Sequence, residues 1–137
     1  MINKLKLKAI MFFAILFSVV ASTGTVVWAN SQSVNVSYKT YSSGNGFVSG
    51  KSQGVWHYFS NGHKVTLQVK TKSGAGTSTA YLYRSTLLVD PYYGAVTASV
   101  GSHTFGTKTD ATSGKYYLLF AGGNHDTTQK ISGTIHD

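Results

Sequence analysis

Lys115-Tyr116-Tyr117-Leu118-Leu119-Phe120-Ala121 is the most hydrophobic run after residue 30, bounded by Ser113-Gly114 before it and Gly122-Gly123-Asn124 after it. So short a run between glycine turns favours a strand over a helix, and large apolar side chains occupy both odd and even positions. The reading is a central β-strand with apolar residues on both faces, as in a strand covered from both sides.

Outward from this run, the same period of two recurs with fewer apolar residues. Ser33 to Tyr41 sets Val34, Val36 and Tyr38 against Asn35, Ser37 and Lys39, one buried and one wet face. Thr79 to Leu88 sets Tyr81 and Tyr83 against Ala80, Leu82 and Arg84, and the pattern leaves open which side faces inward. Ala95 to Val100 and Thr104 to Lys108 read as strands joined around Gly101-Ser102-His103. Lys130 to Ile135, with Gly133 between Ile131 and Ile135, reads as an edge strand. The glycine-rich passage Phe47 to Gly54 fits either an edge strand or a long loop.

The sharpest local signal is Asn61-Gly62, between Val55–Ser60 and His63–Lys72. Asn-Gly readily takes the positive φ values of a type I′ turn, so a hairpin is expected here. Its register would place Tyr58 opposite Val65 and Trp56 opposite Leu67, with Phe59 meeting Lys64 and His57 meeting Thr66 on the reverse face. Seven or eight short strands at turn intervals of about ten residues then predict an all-β protein, an antiparallel β-sandwich of immunoglobulin-like or jelly-roll type. A closed barrel is the alternative.

Residues 1–29 read differently. Lys4, Lys6 and Lys8 precede the apolar stretch Ala9 to Ala21, and a small-residue region ends in Val27-Trp28-Ala29. This is the pattern of a secretory signal peptide. The apolar core falls short of the roughly 20 residues that span a bilayer. Cleavage after Ala29 is preferred over cleavage after Ala21, and an uncleaved anchor is the competing reading. The chain divides into a leader, 1–29, and one sandwich domain, 30–137, of 108 residues. With no cysteine in the sequence, neither lipid attachment through Cys nor a disulfide supports the exported domain.

Removal of the three leader lysines leaves nine Lys and Arg against four Asp and no Glu, a formal charge of +5. For an exported chain such an excess favours anionic surfaces, namely wall polymers, acidic glycans or lipid headgroups, over nucleic acid. Asp90, Asp110, Asp126 and Asp137 are a thin acidic inventory for a glycosidase pair. No serine sits in a G-x-S-x-G turn. The histidines 57, 63, 103, 125 and 136 lack the close spacing of metal ligands on one element. Asn124-His125-Asp126 would bind a cation only with help from Asp110 or His103. No metal and no organic cofactor is implied.

The aromatic load is high: one Trp, nine Tyr and four Phe beyond residue 29. Tyrosine on a rigid sheet offers contact area at little entropic cost, although strand propensity also favours it. Two candidate contact surfaces follow. One is the outer face of the expected hairpin, with His57, Phe59, Lys64 and Lys70; the same residues also describe an ordinary solvated sheet face. The other is the turn Asp90-Pro91-Tyr92-Tyr93-Gly94, where Tyr92 and Tyr93 form a platform unless, as neighbours on an extended chain, they point in opposite directions.

The expected function is therefore that of a secreted, cell-wall-associated, non-enzymatic β-sandwich from a bacterium, binding the cell envelope or an extracellular anionic polymer or glycan, with peripheral membrane contact. A bacteriocin-like antimicrobial acting on a competitor's envelope is the first alternative, and a small hydrolase or protease inhibitor the second. The leader assignment predicts that protein recovered from the culture medium has the intact mass of residues 30–137. A mass that retains residues 1–29 rejects it.

Overall fold

A computed structural model describes residues 31–111 and 113–137; the expected leader, 1–29, lies outside the described residues. The strands are β1 (Gln32–Thr40), β2 (Asn45–Ser49), β3 (Thr66–Ser73), β4 (Thr79–Arg84), β5 (Tyr92–Thr97), β6 (Gly101–Thr104), β7 (Tyr116–Gly123) and β8 (Thr127–His136), with one helical turn, α1 (Gly50–Gln53), after β2. They form two four-stranded antiparallel sheets, β1-β8-β3-β6 and β2-β7-β4-β5. The pairs β1·β8, β2·β7, β3·β6 and β4·β5 are nested. The chain is thus folded in half about the β4–β5 turn and rolled so that β8 also meets β3 and β7 also meets β4. This nesting is the jelly-roll arrangement rather than the immunoglobulin one.

Alternation within each strand supplies the core. Val34 and Tyr38 on β1, Leu67 and Val69 on β3, and Ile131 and Ile135 on β8 point inward from the first sheet. They meet Val48, Ala80, Leu82, Leu118 and Phe120 from the second. One end is closed by rings: Tyr116 lies 5.3 Å from Phe59 and 5.2 Å from Tyr93, centroid to centroid, in tilted or edge contact. With no disulfide, this packing and the backbone ladders hold the sandwich.

Several expectations change. Phe47 to Gly54 divides into edge strand β2 and α1, and Gly54 caps the turn at a φ of 69°. Lys130 to Ile135 belongs to β8, an interior strand paired with β1 and β3. Gly133 permits this close approach, because a Cβ there would stand 1.9 Å from the Gln68 carbonyl oxygen. The joint expected at Gly101-Ser102-His103 is itself strand: β6 lies in the opposite sheet from β5, and the chain crosses between them at residues 98–100.

The hairpin at Asn61-Gly62 does not form either. Gly62 has a φ of 78° but Asn61 does not have a positive φ, so the type I′ turn, which needs both, is absent. β3 is already paired on both sides. The segment before the turn instead reaches the second sheet through a single bridge, His57 to Tyr116, and is tied to β1 where the Gln32 amide bonds both backbone groups of Tyr58. The turn is held by Thr109, whose carbonyl accepts from the Gly62 N–H at 2.8 Å and whose N–H donates to the His63 carbonyl at 2.9 Å.

His57 and Phe59 consequently point into the core, with their rings stacked at 6.4 Å. Burial lowers the His57 pKa to about 4 from an ordinary value of 6.5. Its Nδ1 meets no hydrogen-bond partner among the described residues. Since the unfolded chain takes up the proton first, His57 leaves stability intact above pH 6.5 and subtracts from it as pH falls through 4. The expected loss is about 3 kcal/mol by pH 4 at one pKa unit per 1.36 kcal/mol. Urea midpoints should therefore fall between pH 7 and pH 4 for the wild type and fall much less for His57→Phe. Equal slopes would show that His57 is not what titrates.

Candidate functional site

The two outer faces of the sandwich differ in chemistry. The first sheet shows Ser33, Asn35, Ser37 and Lys39 from β1, Thr128 and Lys130 from β8, and Ser102 and Thr104 from β6. Its hydroxyls bond across strands, Thr66 to Thr104 at 2.9 Å and Thr71 to Ser132. This is the polar exterior usual for a sheet with one buried face.

The second sheet carries Phe47, Leu119, Ala121, Tyr81, Ala95, Tyr117, Tyr83 and Tyr92 on its outer side, as the alternation with buried Val48, Leu118, Phe120, Ala80 and Leu82 requires. Phe47 is 67% exposed and Tyr92 53%. The expectation of a strand covered on both faces holds for β7 only on the inner side; outside, Tyr117, Leu119 and Ala121 are flanked by neighbours on the same face. These residues make the second sheet's exterior more apolar and aromatic than the first's.

Register lines up its rings. Tyr117 of β7 lies directly across from Tyr83 of β4, and Tyr83 across from Tyr92 of β5. Tyr83 is stacked with Tyr117 at 5.6 Å and tilted against Tyr92 at 5.4 Å, while Trp56 meets Tyr117 edge-on at 6.1 Å. Four side chains from three strands and the segment after α1 thus make one row. A bulge separates the two adjacent tyrosines: Leu82 pairs with Gly94 and Tyr83 with Tyr92, leaving Tyr93 unpaired between them. Tyr93 turns inward, buried, while Tyr92 stays on the surface.

Cations and one carboxylate border the row. Lys51 Nζ lies 5.9 Å from the Tyr117 ring centroid and Lys115 Nζ 5.6 Å from that of Trp56. Asp90 accepts from Lys51 Nζ at 2.7 Å, from the Tyr117 hydroxyl at 2.7 Å and from the Thr86 N–H at 2.9 Å. Burial raises the Asp90 pKa, but these three donors and the lysine charge outweigh it and hold the group at about 2. The Tyr117 hydroxyl shifts upward, first through burial and then through its bond to the Asp90 carboxylate. Asp110 is engaged elsewhere: it accepts from the Tyr93 hydroxyl and pairs with Arg84 at 3.5 Å, while Arg84 Nε donates to Tyr93 at 2.9 Å. Asp90 thus ties α1, β7 and the β4–β5 turn to one another.

Of the six residues expected to contact a ligand, only Tyr92 lies in this row. His57, Phe59 and Tyr93 are buried. Lys64 and Lys70 are exposed at and beside β3, in the other sheet, so the six do not share a surface. The residues that sequence reasoning missed are Trp56, Tyr83, Tyr117, Lys51 and Asp90. The alternation in Thr79–Leu88 held the signal for Tyr83, but only the register with β7 and β5 shows that its ring has neighbours. Asn124-His125-Asp126 is a turn in which Asn124 has a φ of 64° and Asp126 pairs with Lys39 at 3.6 Å. It follows β7, whereas Asp110 contacts the strand ends at the start of β7. Among the described residues no three His, Asp or Glu side chains cluster as metal ligands, and no helix is long and apolar enough to cross a membrane.

Fold and surface together define a class, an all-β jelly-roll sandwich with one polar and one aromatic outer face. Comparison with known protein families, curated proteins and solved structures finds no match.

Asp90 is expected to stabilise the row measurably. Its folded pKa is depressed from 3.8 to about 2, so its contribution is complete above pH 3.8 and lost as pH falls through 2. Asp90→Asn should cost about 2 kcal/mol at pH 7, and nearly nothing below pH 2. Urea denaturation of both proteins at the two pH values checks this, and a cost independent of pH would contradict it.

Proposed function

We propose that this chain is a secreted, non-enzymatic adhesin of the cell envelope, and that it binds a glycan polymer along the aromatic row of the second sheet. The observation that carries this reading is the contrast between the hydroxyl-bearing exterior of the first sheet and the ring-bearing exterior of the second. A sugar presents a face of C–H groups with partial positive charge, which suits the negative face of an aromatic ring. Several rings in line suit a repeating polymer, because each sugar makes a modest contact and the contacts add along the strand. Lys51 and Lys115 at the end of the row suit a polymer carrying carboxylate or phosphate groups. Tyr92 is exposed and Tyr83 half-buried, and Tyr117, almost fully buried, packs beside Tyr83.

This reading moves the expected contact from Lys64 and Lys70 to the opposite side of the molecule. A second reading, an exported antimicrobial that acts on a competitor's envelope, draws on the exposed apolar turn between β4 and β5. Growth inhibition by the purified protein would favour it.

The test is retention on isolated, lipid-extracted cell walls. Tyr83→Ser combined with Tyr92→Ser should weaken retention about tenfold or more, as loss of a stacking hot spot does, while Lys64→Glu with Lys70→Glu should leave it within about twofold at 0.15 M salt, where exposed charges are screened. Retention that depends on the two lysines and not on the tyrosines would overturn the assignment.

A further inference from the structure

The turn at which the chain folds in half lies between β4 and β5, and its tip is Leu87-Leu88-Val89. These three consecutive side chains are 101%, 95% and 81% exposed. Scattered exposed leucines are ordinary, but three adjacent apolar side chains this exposed form one projecting apolar patch. The turn is braced in that form. Thr86 Oγ1 donates to the Val89 carbonyl at 2.7 Å, the Thr86 N–H is held by Asp90, and Pro91 fixes the backbone where β5 begins. The polar backbone is thus tied off at the root, and the apolar side chains project instead of folding back onto the rings nearby.

The surroundings of the root identify what covers this tip. Tyr83, Tyr92 and Trp56 stand at its base, rings of the kind that settle at the boundary between headgroup and hydrocarbon. Lys51 bonds Asp90, Arg84 closes β4, and Lys115 accepts the Ser85 N–H on its carbonyl, so three cations ring the root. Asp90 and Asp110 offset Lys51 and Arg84, and Lys115 stays as a positive group over Trp56. An apolar tip rooted among aromatic rings, with Lys115 as an uncompensated cation beside it, offers the two kinds of contact that an anionic bilayer surface rewards. A flat polymer offers no place for a projecting tip.

We infer that the Leu87-Leu88-Val89 turn inserts into the interfacial layer of a lipid bilayer with anionic headgroups, anchoring the sandwich by one end. This goes beyond the glycan reading and does not depend on it.

The test uses the chain from Asn30 to Asp137, which holds every core residue from Val34 to Ile135 and omits the apolar leader that would bind lipid on its own. The protein is sedimented with vesicles of phosphatidylglycerol and phosphatidylcholine, and with phosphatidylcholine alone. Wild type should partition onto the anionic vesicles more strongly than onto the neutral ones, and Leu87→Ser with Leu88→Ser should reduce that partition at least about tenfold, given the apolar area withdrawn. The thermal midpoint of this variant should be unchanged, since the two leucines touch only solvent. In a Trp56→Phe background, Leu88→Trp should shift its emission to the blue on adding anionic vesicles. Failure of the wild type to bind, equal binding by the serine variant, or an unshifted tryptophan would overturn the inference. So would self-association of the wild type that the serine variant abolishes without any vesicle binding. The vesicles hold no glycan and the extracted walls hold no lipid, so failure of one proposal leaves the other standing.

Discussion

The register between β4 and β7 is the constraint on which both surfaces of the second sheet depend. Ala80 faces Phe120 and Leu82 faces Leu118 toward the core, while Tyr83 faces Tyr117 outside. A slip of one residue would exchange the two sets and send Tyr81 and Tyr83 inward. The inner residues have no freedom to allow it, because they are packed against the first sheet. Core packing therefore fixes the placement of a row of rings that contributes little to the core itself.

The ends of the row are secured by polar contacts. Asp90 joins Lys51, Tyr117 and the backbone of Thr86, linking α1, β7 and the β4–β5 turn. Asp110 and Arg84 close on the hydroxyl of Tyr93, linking the loop before β7 to β4 and β5. Each carboxylate is thus a cross-link at the end of the sandwich, where ladder hydrogen bonds stop. In a protein with no cysteine such clusters brace loops that a disulfide would otherwise hold. They use Asp90 and Asp110, two of the four acidic residues, in structure.

The same end of the molecule gathers the features proposed to carry function. The β4–β5 turn, the loop before β7 and the segment after α1 converge there, bringing Leu87, Lys115 and Trp56 into one neighbourhood although they are distant in sequence. The nested pairing does this, since folding the chain in half leaves its midpoint as a projecting turn. The proposed glycan row and the proposed lipid-seeking tip share Tyr83, Tyr92 and Trp56 at this end of the second sheet, so the two contacts draw on one set of rings.

Period-two patterning and turn residues were enough to read an all-β sandwich and to place the strands Ser33–Tyr41, Thr79–Leu88 and Lys115–Ala121 close to β1, β4 and β7, because alternation against a core is a local property. Partner choice is not local. Asn61-Gly62 looked like a hairpin, yet β3 found better partners in β8 and β6, so His57 and Phe59 went to the core and Lys64 and Lys70 to the far side. The extra residue in β5 that divides Tyr92 from Tyr93, and the register that stacks Tyr83 on Tyr117, likewise exist only once strands are paired. The sequence determined which residues are able to lie on a sheet and that the sheets would have an apolar side. The tertiary structure decided which rings became neighbours and which were buried, since long-range pairing is selected by how well two whole faces fit.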